Sequence, residues 1–409
     1  MYKICIITPG TIASNPRVVK EAEALSGAGY KVHLIYTRHV PYLIDTDQEI
    51  LESHPTWTYD FLDWAGKGLI PRFIKLISGL KRRAASLLLA KDLYTHSNMP
   101  FLSNRFYLWQ LKKAIDSNAD LYIAHYPESI SVAANAAKIN KALFAFDAED
   151  YHRGENLPAV VIKMISLNED TFLPKANYIT AASALIAEAY QGLYPSIPVV
   201  PVENMFPVKN QPVFKNLDSN VFKFFWFSQT IGPQRGLEEF IRILGGCSDG
   251  QVQLTLLGNV AAEYKASLTD LWTRVGLELK ELNFLTTVPE AEIFKIAAEH
   301  HFGLCLEIPS VPNKDFCMSN KLYSYILSGN FLILSHTRAQ LNFHKQYPLT
   351  SITIDINDTE GAAIEIRKII NDPEPLNRMR QKNYELGNHT LNFDREKAIL
   401  LKQVAAVWS

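Results

Sequence analysis

Short apolar runs alternate with amphipathic segments along most of the chain, and this alternation predicts strands and helices in turn. In the first half it predicts strands over 2–8, 31–36, 121–125, 143–147 and 178–181, with helices over 16–28, 129–140, 168–175 and 183–190. In the second half it predicts strands over 222–227, 253–257, 283–285, 302–306 and 331–334, with helices over 236–244, 289–300 and 320–328. Repeated strand and helix units are typical of doubly wound parallel sheets, so we predict an α/β protein.

The length of the chain, 409 residues, exceeds one ordinary core and favours two domains. Periodicity is lost over 203–220, where Pro, Asn and Lys gather as they do in linkers. We therefore predict an N-terminal domain over 1–205 and a C-terminal domain over 206–393. A last amphipathic helix over 394–409 could return to the N-terminal domain.

Composition bounds the function before any motif is considered. A net charge of -1 excludes the dominant basic field that bulk nucleic-acid binding needs, so we expect no nucleic-acid partner. The four cysteines, Cys5, Cys247, Cys305 and Cys317, lie far apart without metal-binding spacing, which is typical of a reduced, cytoplasmic chain. The chain begins with a predicted strand rather than a signal peptide, and no apolar run reaches the ~18 residues of a membrane span.

Lys321 stands in the first turn of a predicted helix that Ser319 caps and that Gly329 ends. A helix N-terminus carries partial positive charge, so a lysine there is unfavourable unless an anion lies between them. Lys321 either points into water or helps to bind a phosphate. The strand over 302–306 leads into this helix, and ligands of open α/β sheets bind at the carboxyl ends of strands. This position favours the phosphate.

Three acidic residues and a histidine follow one another closely at the end of the strand over 143–147: Asp147, Glu149, Asp150 and His152. Paired carboxylates at such a place act as acid and base or bind a metal. Alternatively, they are the acids of a helix N-terminus with Asp150 as its cap. The residues alone leave both explanations open.

The segment 66–91 is basic and apolar, and it contains no acidic residue. Its spacing predicts a pair of basic amphipathic helices. Such a face binds anionic lipid headgroups, while a surface hairpin that packs its apolar stripe on its own sheet is the competing explanation. Its basic residues are Lys67, Arg72, Lys75, Lys81, Arg82, Arg83 and Lys91.

Four segments together carry a resemblance to a known family: 15–30, 146–155, 229–237 and the helix that contains Lys321. Through them the chain resembles glycosyltransferase family 4 over nearly its whole length. The resemblance implies the GT-B architecture, in which two Rossmann-like domains face each other across a cleft. It also implies retaining transfer of a sugar from a nucleoside diphosphate sugar to a saccharide or lipid-linked acceptor. No DxD motif stands out in the four segments that carry the resemblance, which fits a transferase without a metal or other cofactor.

The resemblance assigns donor binding to the C-terminal domain, with Arg235 and Lys321 as a basic pair on the diphosphate. Arginine suits this role because its planar fork binds phosphate oxygens in pairs. Gly232 and Gly236 would let the backbone approach the diphosphate. A plain turn with a solvated arginine is the alternative. The other expected donor contacts are Gly10, Gln229, Glu307, Ser319, Asn320 and Ser324.

The N-terminal domain is expected to bind the acceptor and to position the transferred sugar. His125 ends a predicted strand and matches a family histidine near that sugar; a satisfied structural histidine is the alternative. Gly10 follows the first strand, where a glycine permits positive φ, or it belongs to a plain turn. The expected acceptor contacts are Asn15, Asp147, His152, Arg153 and Glu155.

Three positions depart from the family pattern. Phe316 and Ser324 stand where members commonly carry glutamates, and Gln229 stands where an arginine is usual. Glu307 would supply the missing carboxylate, or Ser324 would hydrogen-bond the ribose more weakly.

Two other functions stay open: a nucleotide-sugar 2-epimerase of the same fold, and a non-catalytic subunit that binds a sugar nucleotide or a partner enzyme. For the transferase we expect a role in bacterial surface-glycan synthesis, in the cytoplasm, with peripheral contact to the inner face of an anionic plasma membrane.

Overall fold

The computed structural model describes residues 1–64, 68–91, 93, 98–218, 220–247 and 252–408, with the side chains of 69–72 and 74 outside this description. The chain forms two compact units. Unit 1 comprises Met1–Val202 together with Lys397–Ser409, and unit 2 comprises Glu203–Glu396. Among the described residues, no helix combines the length and hydrophobicity needed to cross a bilayer.

Unit 1 is built on a sheet of seven strands, all paired in parallel, in the order β3-β2-β1-β4-β5-β6-β7. The strands are β1 (Lys3–Ile7), β2 (Lys31–Thr37), β3 (Thr58–Leu62), β4 (Leu121–His125), β5 (Leu143–Ala148), β6 (Tyr178–Ala181) and β7 (Val199–Pro201). The helices are α1 (Pro16–Gly27), α2 (Ile44–Ser53), α3 (Leu69–Ala90), α4 (Met99–Ser103), α5 (Tyr107–Ser117), α6 (Pro127–Asn140), α7 (Ala159–Phe172) and α8 (Ala184–Leu193).

Unit 2 is built on a parallel sheet of six strands in the order β10-β9-β8-β11-β12-β13. The strands are β8 (Phe222–Ile231), β9 (Val252–Val260), β10 (Leu282–Leu285), β11 (Phe302–Cys305), β12 (Phe331–Ser335) and β13 (Ser351–Ile354). The helices are α9 (Leu237–Gly246), α10 (Ala262–Arg274), α11 (Glu290–Ala298), α12 (Pro312–Phe316), α13 (Asn320–Ser328), α14 (Arg338–Gln346), α15 (Thr359–Asn371) and α16 (Glu374–His389). A last helix, α17 (Phe393–Ala406), begins in unit 2, and its residues from Lys397 onward belong to unit 1.

The predicted α/β class with two parallel sheets is confirmed. Two predicted elements have different bounds. The helix expected over 168–175 begins much earlier, as α7, and ends in a 3-10 turn at Leu173–Lys175. Strand β8 continues past Phe227 to Ile231 after a register shift, so Gln229 lies inside a strand and not in the loop that follows it.

The expected helix pair over 66–91 is wrong, because the described part of this segment is one helix, α3, of 22 residues. Gly66 and Lys67 lie outside the described residues, as does the side chain of Arg72. A glycine at position 79 in its middle does not end the helix, since both halves continue the same hydrogen-bonded turn pattern.

Helix α13 is fixed to its sheet by an aromatic side chain. The ring of Tyr325 covers Gly303 of β11, and the Tyr325 hydroxyl donates to the carbonyl of Phe225 at 3.0 Å. A Cβ atom on Gly303 would lie 2.2 Å from Tyr325 Cγ, far inside contact distance. Glycine is therefore required here to hold α13 against the strand ends.

We expect Gly303→Ala to destabilise unit 2, because neither the ring nor the strand can move away independently. Overpacking of this kind costs about 1–3 kcal/mol, which lowers Tm by roughly 4 °C or more. Thermal unfolding of the purified chain measures the effect. Gly192→Ala is the control, since nothing lies within 4 Å of its added Cβ. Equal melting temperatures for the two variants would contradict this packing account.

Candidate functional site

The topology of unit 2 brings two loops together at the centre of its sheet. The chain runs from β8 outward to β9 and β10, then returns to the other side of β8 to form β11. Ligands of open α/β sheets bind at such a switch point, outside the carboxyl ends of the strands. The loop after β8 and the loop after β11 flank this point, and they contain half of the expected donor contacts: Gly232, Arg235, Gly236, Glu307 and Ser319.

Lys321 lies at the start of α13, and its side chain is only 14% exposed, so it does not point into water. Its Nζ donates to Glu307 Oε1 and to Ser319 Oγ, both at 3.3 Å, and lies 5.6 Å from the Trp226 ring centroid. Ser319 precedes the helix but makes no side-chain cap bond to it, contrary to expectation. The Glu307 carboxylate and the Ser319 hydroxyl thus hold Lys321 at a helix N-terminus that no side chain caps.

The first turns of two helices near the switch point differ in charge. The first turn of α13 contains no acid, whereas that of α9 contains Glu238 and Glu239. A negative side chain already compensates the partial positive charge of a helix N-terminus. The start of α13 is therefore the better position for an added anion.

Arg235 is exposed at the end of the loop after β8 and forms no ion pair with any described residue. The next residue, Gly236, has φ +75, and its Cβ would lie 2.4 Å from Ile356 Cδ1 and 3.1 Å from Leu306 Cβ. This close approach places the loop beside the residue that precedes Glu307. Gly232 has ordinary φ and open space around it, so its expected special role has no steric basis.

The remaining expected donor contacts are divided. Asn320 is exposed at the start of α13. Ser324 is buried and its Oγ donates to Asn320 O at 3.2 Å, so the hydroxyl is used inside its own helix and does not face a ribose. Phe316 packs under the Arg338 guanidinium, 4.5 Å from the ring centroid. Glu307 is the carboxylate that the structure places beside Lys321.

Unit 1 has the same kind of switch point, because β1 is flanked by β2 on one side and β4 on the other. Gly10 follows β1 and His125 ends β4. Gly10 does not have positive φ, which corrects the expected reason for a glycine. A Cβ there would lie 3.3 Å from His39 Cε1, so closeness to His39 is the constraint.

A buried ion network fills this switch point. Arg17 donates from Nε and Nη2 to the two oxygens of Asp147 at 2.6 and 2.7 Å, and Thr180 donates to Asp147 Oδ1 at 2.5 Å. His125 is fully buried, with Nε2 at 2.5 Å from Glu21 Oε2 and Nδ1 at 2.8 Å from Glu149 Oε1. Two carboxylate acceptors need donors on both ring nitrogens, which is the imidazolium form.

The surrounding carboxylates set the charge of this histidine. Burial alone would lower the pKa of His125, but Asp147, Glu149 and Glu21 outweigh it and raise the pKa to about 10. Burial opposes ionisation of Asp147 as well, yet Arg17 keeps the pKa of that carboxyl below its usual value. Two cations therefore neutralise most of the charge of three acids inside unit 1.

His125 thus differs from its expected role, since it is inaccessible and both of its nitrogens are occupied. The same holds for two expected acceptor contacts. Asp147 is held by Arg17, and Asn15 caps α1 through Val18 N at 3.1 Å while its Nδ2 donates to Glu149 at 2.5 Å. These three residues fix the loops that surround the switch point.

The segment after β5 forms a second, more accessible cluster. His152 begins a 3-10 turn, His152–Gly154, and its Nδ1 lies 2.5 Å from Glu155 Oε1. Burial alone would lower the pKa of His152, but Glu155 raises it above the ordinary value. Arg153 instead anchors the turn to α7 through Glu169 at 2.6 Å, so it is not free for an acceptor. Asp150 does not cap an α-helix.

Sequence reasoning missed Tyr126, whose backbone is strained at φ 63 and ψ 151. An aromatic residue in this region is a real outlier, and such strain concentrates at functional sites. Tyr126 follows His125, its ring lies 5.8 Å from that of His152, and burial raises the pKa of its hydroxyl, which lies beside Glu149. No local sequence signal marks this conformation.

Reasoning from sequence also missed Arg17 and Glu21. Both belong to α1, where Glu21 interrupts the apolar stripe of Val18, Ala22 and Leu25. A charged residue inside an apolar stripe signals a buried partner, and this signal was available.

His125, Asp147 and Glu149 offer ligand atoms within 4.8 Å of one another, so they are the residues that could hold a metal ion. Arg17 and Thr180 already occupy Asp147, and Glu149 accepts from His125 and Asn15. A metal would have to displace a buried arginine from its carboxylate.

The charge on His125 predicts the pH dependence of stability. Because its pKa is raised from 6.5 to about 10, its contribution is fully present below pH 6.5 and is lost as pH rises through about 10. We expect Tm to fall over this interval, and to fall less in His125→Gln. Loss of one partner from a buried pair should also cost about 3–5 kcal/mol.

Melting temperatures of both proteins across that pH interval measure the effect. His344→Gln is the matched control. His344 is half-buried, and the side chain that its Nδ1 contacts, Ser351, carries no charge. If His125→Gln kept the wild-type slope, the imidazolium assignment would be wrong.

The whole chain matches solved structures closely in fold. HepE (Alr3699) from Anabaena in complex with UDP and glucose is 13% identical, with TM-score 0.69 and coverage of 99% of this chain and 100% of that chain. A glycosyltransferase from Rickettsia africae is 11% identical, with TM-score 0.70 over 100% and 99%. A variant of S. aureus TarM in complex with fondaparinux, alpha-GlcNAc-glycerol and UDP is 10% identical, with TM-score 0.67 over 98% and 99%.

No protein family model matches the chain, and no curated protein matches it by sequence. At these identities the likeness establishes the fold. The chain has the GT-B fold, as the resemblance implied.

Proposed function

We propose that this protein is a retaining glycosyltransferase of family 4. It would move a hexose from a nucleoside diphosphate sugar to a saccharide or lipid-linked saccharide during bacterial surface-glycan synthesis. The observation that carries the proposal is the pair of cations at the switch point of unit 2: Lys321 at an acid-free helix end and the unpaired Arg235. Neighbours in fold include a structure with bound UDP and glucose.

The reaction needs stabilisation of the diphosphate that leaves the sugar. Preorganised charges aimed at developing negative charge are usually the largest catalytic effect. We assign this role to Arg235, Lys321 and the first amides of α13, without a metal ion or cofactor. Gly236, Ser319 and Asn320 shape the backbone around them. Retention of configuration enters through the family resemblance.

Acceptor binding is assigned to unit 1. His152 Nε2 is buried and has no hydrogen-bond partner among the described residues, so it is the polar atom of its cluster left for an acceptor hydroxyl. Glu155 holds the other ring nitrogen and sets its orientation. His125 and Asn15 act indirectly, by positioning Glu149 and the loops.

A 2-epimerase would need mobile acids in unit 1 for elimination. The ion pairs of Asp147 and Glu149 with Arg17 and His125 argue against this alternative.

The buried Ser324 and the Phe316 position favour the other alternative, a non-catalytic subunit. Release of nucleoside diphosphate under turnover conditions separates an enzyme from a binding subunit.

All four cysteines are free, which supports a reducing compartment and hence a cytoplasmic location. A lipid-linked acceptor would bring the protein to the inner face of the plasma membrane as a peripheral protein.

We expect Arg235→Ala and Lys321→Ala each to weaken nucleoside diphosphate binding by about tenfold or more, because each removes a charge-assisted contact. Thermal shift without metal, against UDP, GDP, ADP, CMP and dTDP, identifies the base and reports affinity. A ligand at 100 times its Kd adds about 2.7 kcal/mol of stability.

Arg242→Ala and Lys345→Ala are the matched controls, since both side chains are exposed elsewhere in unit 2. Wild-type affinity in both Arg235→Ala and Lys321→Ala would refute the assignment of the donor site.

Glu307 can be tested separately from the cations. If it binds the ribose, Glu307→Gln should weaken binding of the selected nucleoside diphosphate by roughly tenfold. Binding of inorganic pyrophosphate should not weaken, because pyrophosphate has no ribose. For that ligand the Glu307 carboxylate only neutralises part of the charge of Lys321. Isothermal titration of both ligands gives the comparison. Equal losses for the two ligands would mean that Glu307 only orients the lysine.

A further inference from the structure

Helix α3 presents its large apolar side chains to the outside. It packs inward through Ala85 and Leu89, against Met99 and Leu102. Its outward stripe consists of Phe73, Leu76, Leu80 and Leu87, which are 62%, 61%, 57% and 65% exposed. At ~100° per residue these four side chains lie within an arc of about 60°. An ordinary surface helix buries such a stripe, so this orientation is the reverse of the expected one.

Basic side chains lie beside the stripe, because Arg82, Arg83 and Arg105 line a surface pocket together with Leu76 and Leu80. Within the described part of the chain, none of the basic residues of this region forms an ion pair with a carboxylate. Arg105, on the connection between α4 and α5, faces Arg82, and burial together with that neighbour lowers the pKa of Arg105. The residues are Lys75, Lys81, Arg82, Arg83, Lys91 and Arg105.

An apolar pocket of about 220 Å³ adjoins the stripe, between α3 and the start of α5. Phe73 connects the two, because it belongs to the stripe and also lines the pocket. Ile77, Phe101, Phe106 and Trp109 form much of its wall, and Lys81 and Arg105 stand at its rim. The pocket is smaller than the ~300–1,000 Å³ of typical small-molecule sites, so it suits a segment of hydrocarbon chain.

We propose that the α3 face, defined by the stripe, the cations and the pocket, docks on an anionic phospholipid bilayer. The stripe enters the interface, one lipid chain end occupies the pocket, and Lys81 and Arg105 contact the phosphate of that lipid. Apolar residues flanked by lysine and arginine on one helix are what such an interface binds.

Charge selects the bilayer over a second copy of this chain. Two copies meeting at α3 would bring twelve cations together, six from each copy, and none of them forms an ion pair within the described residues of its own chain. Like charges at that density repel, whereas an anionic surface neutralises them. The inference goes beyond the proposed transfer reaction and does not depend on it, since neither donor nor acceptor sugar takes part.

The test is co-sedimentation of the full chain with phosphatidylcholine vesicles, with and without phosphatidylglycerol. We expect binding to the anionic vesicles that is about tenfold or more tighter than to the neutral ones. A stripe variant, Leu76→Ser with Leu80→Ser, and a rim variant, Lys81→Glu with Arg105→Glu, should each lose about tenfold. All four side chains are exposed, so the fold should be retained, and circular dichroism verifies this.

Leu279→Ser with Lys345→Glu is the matched control in unit 2, because Leu279 is 57% exposed, as Leu80 is. Phospholipids brominated along the chain should quench tryptophan fluorescence, and Trp109→Phe should remove most of the quenching if a chain enters the pocket.

Wild-type binding by both the stripe and the rim variants would overturn the proposal. So would a dimer, seen by light scattering without lipid, that the stripe variant abolishes. Release of the protein by millimolar inorganic phosphate at constant ionic strength would show a phosphate site rather than a lipid surface, and would overturn it too. Because the vesicles contain no nucleotide, failure here leaves diphosphate binding by Arg235 and Lys321 untouched.

Discussion

When the chain of a parallel sheet runs outward through its first three strands and then returns to the other side of the first, the loops after the first and fourth strands lie side by side. Both units obey this constraint: β1 and β4 are neighbours in unit 1, and β8 and β11 are neighbours in unit 2. Residues of those loops come close although they are far apart in the chain, as Gly236 and Leu306 do. The sites follow from strand order, and the residues only decide what each site can bind.

The two switch points differ in how their charge is balanced. In unit 1 the cations Arg17 and His125 are buried with Glu21, Asp147 and Glu149, so both cations are paired within the unit, and Glu21 Oε1 is left without a hydrogen-bond partner among the described residues. Such a network holds loops in place because removal of any member leaves a buried charge unpaired. In unit 2, among the residues that the structure describes, Lys321 pairs with one carboxylate and Arg235 with none. Only the second arrangement leaves positive charge for an anion.

The departures from the family pattern fit this charge balance. A glutamate at position 324 would be buried on α13, one turn after Lys321. The Ser324 hydroxyl carries no charge and donates a hydrogen bond to the Asn320 carbonyl of the same helix. One carboxylate therefore remains for one lysine. Under the proposed function, the carboxylate would come from Glu307 in the loop after β11 and not from the helix.

Much of the fold was predictable from the sequence because it depends on local periodicity. Helix α13 and strand β4 have the predicted bounds, and both units have the predicted parallel strands. The position of Lys321 was predictable too, since it needs only a helix start and the preceding strand. The partners of His125 were not, because Glu21 and Glu149 come from distant elements that only the folded sheet brings together.

The orientation of α3 is a second feature that local periodicity could not predict. Its periodicity indicated basic amphipathic helices, as a pair where the structure has one helix. Periodicity describes the relation between faces and not which face turns inward. Tertiary packing places Ala85 and Leu89 against α4, so the stripe on the opposite face of the helix points outward. Exposed leucines at this density cost solubility unless something covers them. A helix with its apolar stripe outside is therefore most simply understood as one half of an interface.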